Sequence, residues 1–190
     1  MEYSTFLRSH IEQVVSLSEN EFTLAAGFFT PVRVVRKGFL LQAGQRVSSE
    51  FLVVSGCIKT SSYDTAGKEY ILQFAIENWW VSDYPAYMDK GLGELVVQAL
   101  EDSVVLEISL ERKRQMCELI PKMHVFHGSK ALAGYIAAQK RILSLLRNSA
   151  KEKYDLLLSL YPGLFQRIPK KTIAAYLGVS RETLSRLEKH

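Results

Sequence analysis

The chain has little cysteine: Cys57 and Cys117 alone among 190 residues, far apart and with no Cys-x-x-Cys spacing. Neither a disulfide framework nor a zinc finger is indicated, and a reducing compartment fits. The N-terminus lacks the basic start, apolar stretch and small-residue cleavage site of a signal peptide. The most apolar run near the C-terminus, 156–165, is interrupted by Ser159, Tyr161, Pro162 and Gly163 and falls short of the ~20 residues that a membrane span requires. A cytoplasmic protein with no membrane partner is the expectation. Missing too are the Gly-x-Ser-x-Gly elbow, the phosphate-binding P-loop and the dinucleotide glycine fingerprint, while His10, His124, His127 and His190 are scattered. No catalytic residue is nominated, and the chain is not read as an enzyme. Cys117, His124 and His127 lie at helical spacings of seven and three that could place them near one face, but no fourth ligand accompanies them, so no metal or haem site is expected. Finally, no arginine occurs between Arg46 and Arg112.

What is present is the balance of a globular protein, with 47% hydrophobic and 23% charged residues, long enough for one ordinary domain and a small second one. The net charge of +4 hides an asymmetry. Residues 1–110 carry eight basic against fourteen acidic residues, and residues 111–190 sixteen against six. A basic half is suited to a polyanion, because neutralising phosphates releases condensed counterions. Charge alone fits a set of solvated helix faces equally well.

Residues 1–25 read as helical, with Phe6, Ile11, Val14, Val15 and Leu17 clustering on one side. From Thr30 to Ser109 the pattern changes to short β-branched and aromatic runs, with strands expected at 32–36, 50–55, 57–63, 69–75, 95–100 and 104–109. Such spacing reads as an antiparallel sandwich or barrel. Gly67 closes a hairpin loop at 64–67, and Gly56 permits a sharp reversal between two apolar runs. A long helix is expected from about Lys122. It carries two apolar seams: Val125, Leu132, Ile136, Leu143 and Leu146, with Gln139 among them, and beside these Ala131, Tyr135, Ala138, Ile142 and Leu145. One seam can pack on the β-domain and the other on a second copy of the helix. A helix buried within one monomer is the alternative; dimerisation through Val125, Leu132, Ile136, Gln139, Leu143 and Leu146 is preferred. A further helix at 151–160 stops at Tyr161-Pro162-Gly163.

Residues 170–189 read KKTIAAYLGVSRETLSRLEK. Helix signals run to Leu177, Gly178-Val179-Ser180 breaks them, and Ser180 is a good N-cap for a helix starting at Arg181. Ala174 is small where two helices must cross, while Ile173, Leu177, Val179, Leu184 and Leu187 supply a shared core, which is the pattern of a helix-turn-helix. Outward positions of the second helix carry Arg181, Glu182, Ser185, Arg186 and Lys189. Arginine can donate twice to guanine and glutamate can accept from cytosine, so the face suits a major groove. Lys170 and Lys171 suit phosphate contacts that fix register.

The segment Ser180-Arg181-Glu182-Thr183-Leu184-Ser185-Arg186 resembles the recognition-helix motif Ser-Arg-Glu-Thr-x-x-Arg of the cyclic-AMP receptor protein and FNR (Crp/Fnr) superfamily. The order of parts is similar across nearly the whole chain. The resemblance implies an α+β architecture: a jelly-roll-like β-roll sensor with an N-terminal helix (1–120), a dimerisation helix (121–148) and a C-terminal helix-turn-helix (149–190). It further implies base reading by Arg181, Glu182 and Arg186, backbone-phosphate contacts from Ser180 and Thr183, and a homodimer on palindromic double-stranded DNA with recognition helices ~34 Å apart. RNA polymerase is a candidate further partner.

The match fails at the sensor. Members that bind cyclic nucleotides carry a Gly-Glu-Leu segment followed about ten residues later by an arginine on the phosphate. The corresponding places here are 81–84 and about Gly93, and neither matches. A bidentate guanidinium is the natural partner of a buried phosphate, and Lys90 is the one cation nearby. Cyclic AMP is therefore not the expected effector. The effector is unknown, with Trp80, Ser82, Asp83 and Tyr84 as candidate pocket residues and no cofactor assigned. FNR-type iron–sulfur ligation needs several N-terminal cysteines, and the first here is Cys57. Because His190 follows directly on the recognition helix, a complete β-hairpin wing is not expected. The rival reading is a regulatory or protein-interaction module with a cyclic-nucleotide-binding-like fold that does not bind DNA.

Overall fold

The computed structural model describes residues 2–187. Two helices, α1 (Glu2–Glu12) and α2 (Glu19–Ala26), stand where one was expected. Ser18 separates them: its side chain accepts from the Glu21 backbone N–H while the Glu21 carboxylate accepts from the Ser18 N–H, a reciprocal cap that starts a new helix.

Eight strands follow: β1 (Thr30–Val34), β2 (Phe39–Leu41), β3 (Ser49–Ser55), β4 (Ile58–Tyr63), β5 (Glu69–Ala75), β6 (Trp80–Val81), β7 (Val96–Ala99) and β8 (Ser103–Ser109), with a short helix α3 (Tyr84–Asp89) between β6 and β7. They form two antiparallel sheets, ordered β1-β8-β3-β6 and β2-β7-β4-β5. The β4–β5 loop closes as the sequence indicated. Gly67 takes φ 78°, and the Asp64 carboxylate accepts from the N–H groups of Ala66 and Lys68. Gly56 takes φ 104°, and an added Cβ would collide with Ser103.

The remaining helices are α4 (Leu110–Leu119), α5 (Lys122–Arg147), α6 (Ala150–Leu160), α7 (Leu164–Arg167), α8 (Lys170–Leu177) and α9 (Arg181–Leu187). The result is an α+β molecule in four layers. Between the two sheets lie Phe51, Val53, Ile58, Ala75, Val97 and Val105. Outside the first sheet, Leu52, Leu106 and Ile108 meet α1, α2, α4 and the base of α5 through Leu7, Ile11, Phe22, Met116 and Phe126. This explains why β3 is buried at both alternating sets of positions, since period-two side chains reach two different cores. Outside the second sheet, Cys57, Ile71 and Phe74 share a third core with α6 to α9. The β4–β5 pairing shifts between Thr60↔Gln73 and Ser61↔Ile71, skipping Leu72. That extra residue lets Ile71 and Phe74, three apart, face the same core.

Helix α5 corrects one expectation. Neither apolar seam packs on the β-domain: Val125, Leu132, Ile136, Gln139, Leu143 and Leu146 are exposed, as are Ala131, Tyr135, Ala138, Ile142 and Leu145. The inward line is a third one, with Met123, Phe126 and His127 buried at the base, Ala137 and Arg141 half-buried, and Ser144 buried. Cys117 belongs to α4, and the Ile120-Pro121 corner separates it from His124 and His127 on α5.

Candidate nucleic-acid interface

Helix α8 follows Pro169, whose fixed φ suits a helix start, and ends at Gly178 in the left-handed conformation with φ 71°. The Gly178 N–H bonds back to Ala174 and Ala175, and the Val179 N–H to Ala174, so the last turn is closed before the chain reverses. Ser180 then caps α9: its Oγ accepts from the Thr183 N–H at 3.1 Å, and the two hydroxyl oxygens lie 3.2 Å apart. Ile173, Ala174, Leu177 and Leu184 are buried against one another, and the small Ala174 is where α8 and α9 approach. The corner inferred from sequence is formed by the residues that suggested it.

The opposite side of α9 is open. Arg181, Glu182 and Arg186 are exposed and, with half-buried Ser185, line one shallow recess. Hydrogen bonding from its own backbone N–H and from Ser180, together with the Arg181 and Arg186 charges, holds Glu182 below the usual carboxylate range. It is therefore an ionised acceptor between two cationic donors. Ser180 is exposed and Thr183 half-buried at the helix start. Lys170 and Lys171 are exposed in the first turn of α8, where the helix dipole disfavours cations. Lys189 lies outside the described residues.

Of the four expected pocket residues, three have polar atoms that the protein itself occupies. Trp80 Nε1 donates to His10 Nε2 at 3.1 Å. With that nitrogen accepting, the His10 proton sits on Nδ1 and is donated to Asn78 Oδ1 at 3.0 Å. Ser82 Oγ donates to the Ser49 carbonyl. Asp83, 3% exposed, caps α3 through the Ala86 N–H, and its Oδ2 accepts from the N–H groups of Glu94 and Leu95 at 2.8 and 2.9 Å. Tyr84 is exposed.

Sequence reasoning also missed a polar cluster. His10 and His127, 117 positions apart, both lie against Trp80 and Phe126. Burial, reinforced by the Lys130 charge, lowers His10 to about 4. Burial, with the Lys113 charge next in size, lowers His127 to about 3. The only signal available in the sequence was the apolar company each histidine keeps on its own helix.

No protein-family model matches the chain. The regulatory protein HlyX of Actinobacillus pleuropneumoniae is 29% identical over 186 residues, covering 90% of this chain and 76% of that protein. The transcriptional activator protein Anr of Pseudomonas aeruginosa is 29% identical over 167 residues, covering 82% and 68%. Among solved structures, FixK2 of Bradyrhizobium japonicum superposes with a TM-score of 0.70 at 16% identity, over 85% of this chain and 83% of that one, which shows the shared fold. With the roll, the long helix and the Ser180–Arg186 segment in the places described, the chain is similar in sequence to these transcriptional regulators and shares the fold of the Crp/Fnr proteins.

Proposed function

We propose that the protein is a DNA-binding transcriptional regulator of the Crp/Fnr type, acting in the cytoplasm as a homodimer on palindromic double-stranded DNA. The observation that carries the reading is the exposed group Arg181, Glu182 and Arg186 on one face of a helix whose other face is buried. These side chains are presented outward on a rigid support, with donors and an acceptor suited to base edges. Lys170 and Lys171 support it from another direction. Two cations at a helix N-terminus oppose the local dipole, and such a departure from local stability is expected where a phosphate is to be bound. Ser180, Thr183 and Ser185 complete the contact set, and Lys189 would extend it.

The dimer is supported by the two exposed apolar seams of α5, among them Leu132, Ile136, Leu143 and Leu146, a continuous stripe that water solvates poorly. With them goes a division into roll sensor 1–120, dimer helix 121–148 and DNA reader 149–190. RNA polymerase enters as a partner through the resemblance alone. Relatives such as HlyX and Anr carry regulator names, in keeping with a protein that acts by binding rather than catalysis. Cyclic-nucleotide sensing is outside the reading. The N–H groups of Glu94 and Leu95, next to Gly93 where the arginine of cyclic-nucleotide binders would stand, already hold the Asp83 carboxylate. A second anion there would face like charge.

The test is equilibrium binding to selected and random duplexes across salt concentrations. Arg181→Ala or Arg186→Ala is expected to cost ~1–3 kcal/mol on the selected duplex and little on random DNA, whereas Lys171→Ala weakens both alike and lowers the salt slope by about one. Equal loss on both duplexes from the arginine variants, or a protein without affinity for either, overturns the reading in favour of a protein-interaction module.

A further inference from the structure

The DNA reader is joined to α5 through Asn148 and Ser149, where the helical path breaks: Asn148 has ψ 140° and Ser149 caps α6 anew. A link of this kind leaves a domain free to swivel unless something else holds it. The apolar core that Cys57, Ile71 and Phe74 share with α6 to α9 holds it against the roll, and two directional contacts at different places add to that core and fix the angle. The first is Arg167 on α7, whose guanidinium reaches two carboxylates of the roll: Nη2 lies 2.6 Å from Glu101 Oε1 and 2.9 Å from Glu77 Oε1, with Nε and Nη1 bonded to the same two residues. Glu77 is itself held by the Gly56 N–H, so the pair is braced from the roll side. The second is Tyr176 on α8. Its ring lies 4.7 Å from that of Phe74 on β5 and 3.7 Å beneath the Arg141 guanidinium of α5, which also donates to the Tyr176 carbonyl. Roll, dimer helix and reader therefore meet at one side chain.

Neither contact covers the reading face, because Arg181, Glu182 and Arg186 stay exposed while both are made. We propose that Arg167 and Tyr176 are positioning residues for DNA recognition: by fixing α9 relative to α5 they set the separation of the two recognition helices, and hence the half-site spacing the dimer accepts. The physical reason is effective concentration. Once one half-site is bound, the second reader gains from the linkage only as far as its pose distribution overlaps the second groove. A clamped reader concentrates that distribution on one spacing, and a swivelling reader spreads it over many.

This rests on the dimeric DNA-reading function above, and the experiment separates the two. Binding of the full chain is measured on a single half-site duplex and on palindromes whose half-sites are moved from the selected spacing by up to a half turn, about 5 bp. Wild type is expected to prefer its own spacing over the half-turn shift by ~100-fold. Arg167→Ala, the pair Glu77→Gln with Glu101→Gln, and Tyr176→Leu should each keep half-site affinity within about threefold while the spacing preference falls ~10-fold. Tyr176→Phe, which keeps the ring between Phe74 and Arg141, should behave as wild type. The proposal is overturned if the variants keep the wild-type spacing profile, if they lose half-site and palindrome binding in equal measure, as a merely destabilised reader would, or if Arg167→Ala tightens binding. A wild type indifferent to spacing overturns the dimeric reading itself, and the positioning role with it.

Discussion

Asp83 and Glu182 are both carboxylates at the start of a helix, one in the roll and one in the DNA reader, and their surroundings are opposite. Asp83 is buried and saturated by three backbone N–H groups drawn from two segments. Glu182 is exposed and flanked by Arg181 and Arg186. The contrast holds for the two regions at large. In the roll, His10, Glu50, Lys59, Ser82 and Asp83 are turned inward onto partners within the protein. In α8 and α9 the inward face is apolar, through Ile173, Ala174, Leu177 and Leu184, and Arg181, Glu182 and Arg186 face solvent. A buried polar group that is already satisfied builds architecture, while an ordered polar group left outside is available to a partner. These buried polar residues of the roll are engaged within the protein, whereas Arg181, Glu182 and Arg186 of the reader face solvent.

Mutations can sharpen or break this contrast. The largest effect is expected on α5, where the rule is inverted and apolar groups face out. Leu132→Asp combined with Ile136→Asp should yield a monomer by sedimentation and weaken palindrome binding by ~100-fold or more, the second half-site no longer being linked. A variant that stays dimeric would remove the stripe from the interface. Next comes Asp83→Ala, which strands three N–H donors and should lower the denaturant midpoint by the equivalent of about 3 kcal/mol while the molecules still folded bind DNA unchanged. A stable variant with altered DNA affinity would move Asp83 from architecture to regulation.

The third effect is acid sensitivity. His10 and His127 have folded values of about 4 and about 3, below the ordinary 6.5, so the unfolded chain takes up their protons first. Their stabilisation is complete above about pH 6.5 and is lost as the pH falls toward those values. Between pH 7 and pH 5 a loss of about 2 kcal/mol or more is expected in urea titrations, and His10→Leu should flatten that dependence. An unchanged slope in the variant would show that His10 is not buried neutral. The smallest effect belongs to Lys151→Ala, which removes an exposed pair with Asp155 at 2.9 Å and should change thermal stability by no more than ~0.5 kcal/mol.

The reader was the most legible part of the sequence because its signals are local. Ser180, Gly178 and Ala174 announce cap, turn and crossing within seven residues. The roll was legible where strands are long enough to alternate, and illegible at β2 and β6, which have three residues and two. Helix α4 was missed because its middle, Glu111 to Gln115, is polar and only Leu110, Met116 and Cys117 are buried. The seams of α5 were read correctly as apolar, yet a helix with apolar groups around most of its circumference does not say which line faces the roll. Arg167 and Tyr176 could not be found at all, since their partners lie 35 to 102 positions away and nothing local marks them.

In vitro selection of duplexes from a random pool, run with wild type and with Arg181→Ala, is the most direct measurement. Wild type should enrich a palindrome with half-sites about one helical turn apart, and the variant should return the same palindrome with one position in each half relaxed. No palindrome, or identical base preferences from both proteins, would contradict the assignment of base reading to α9.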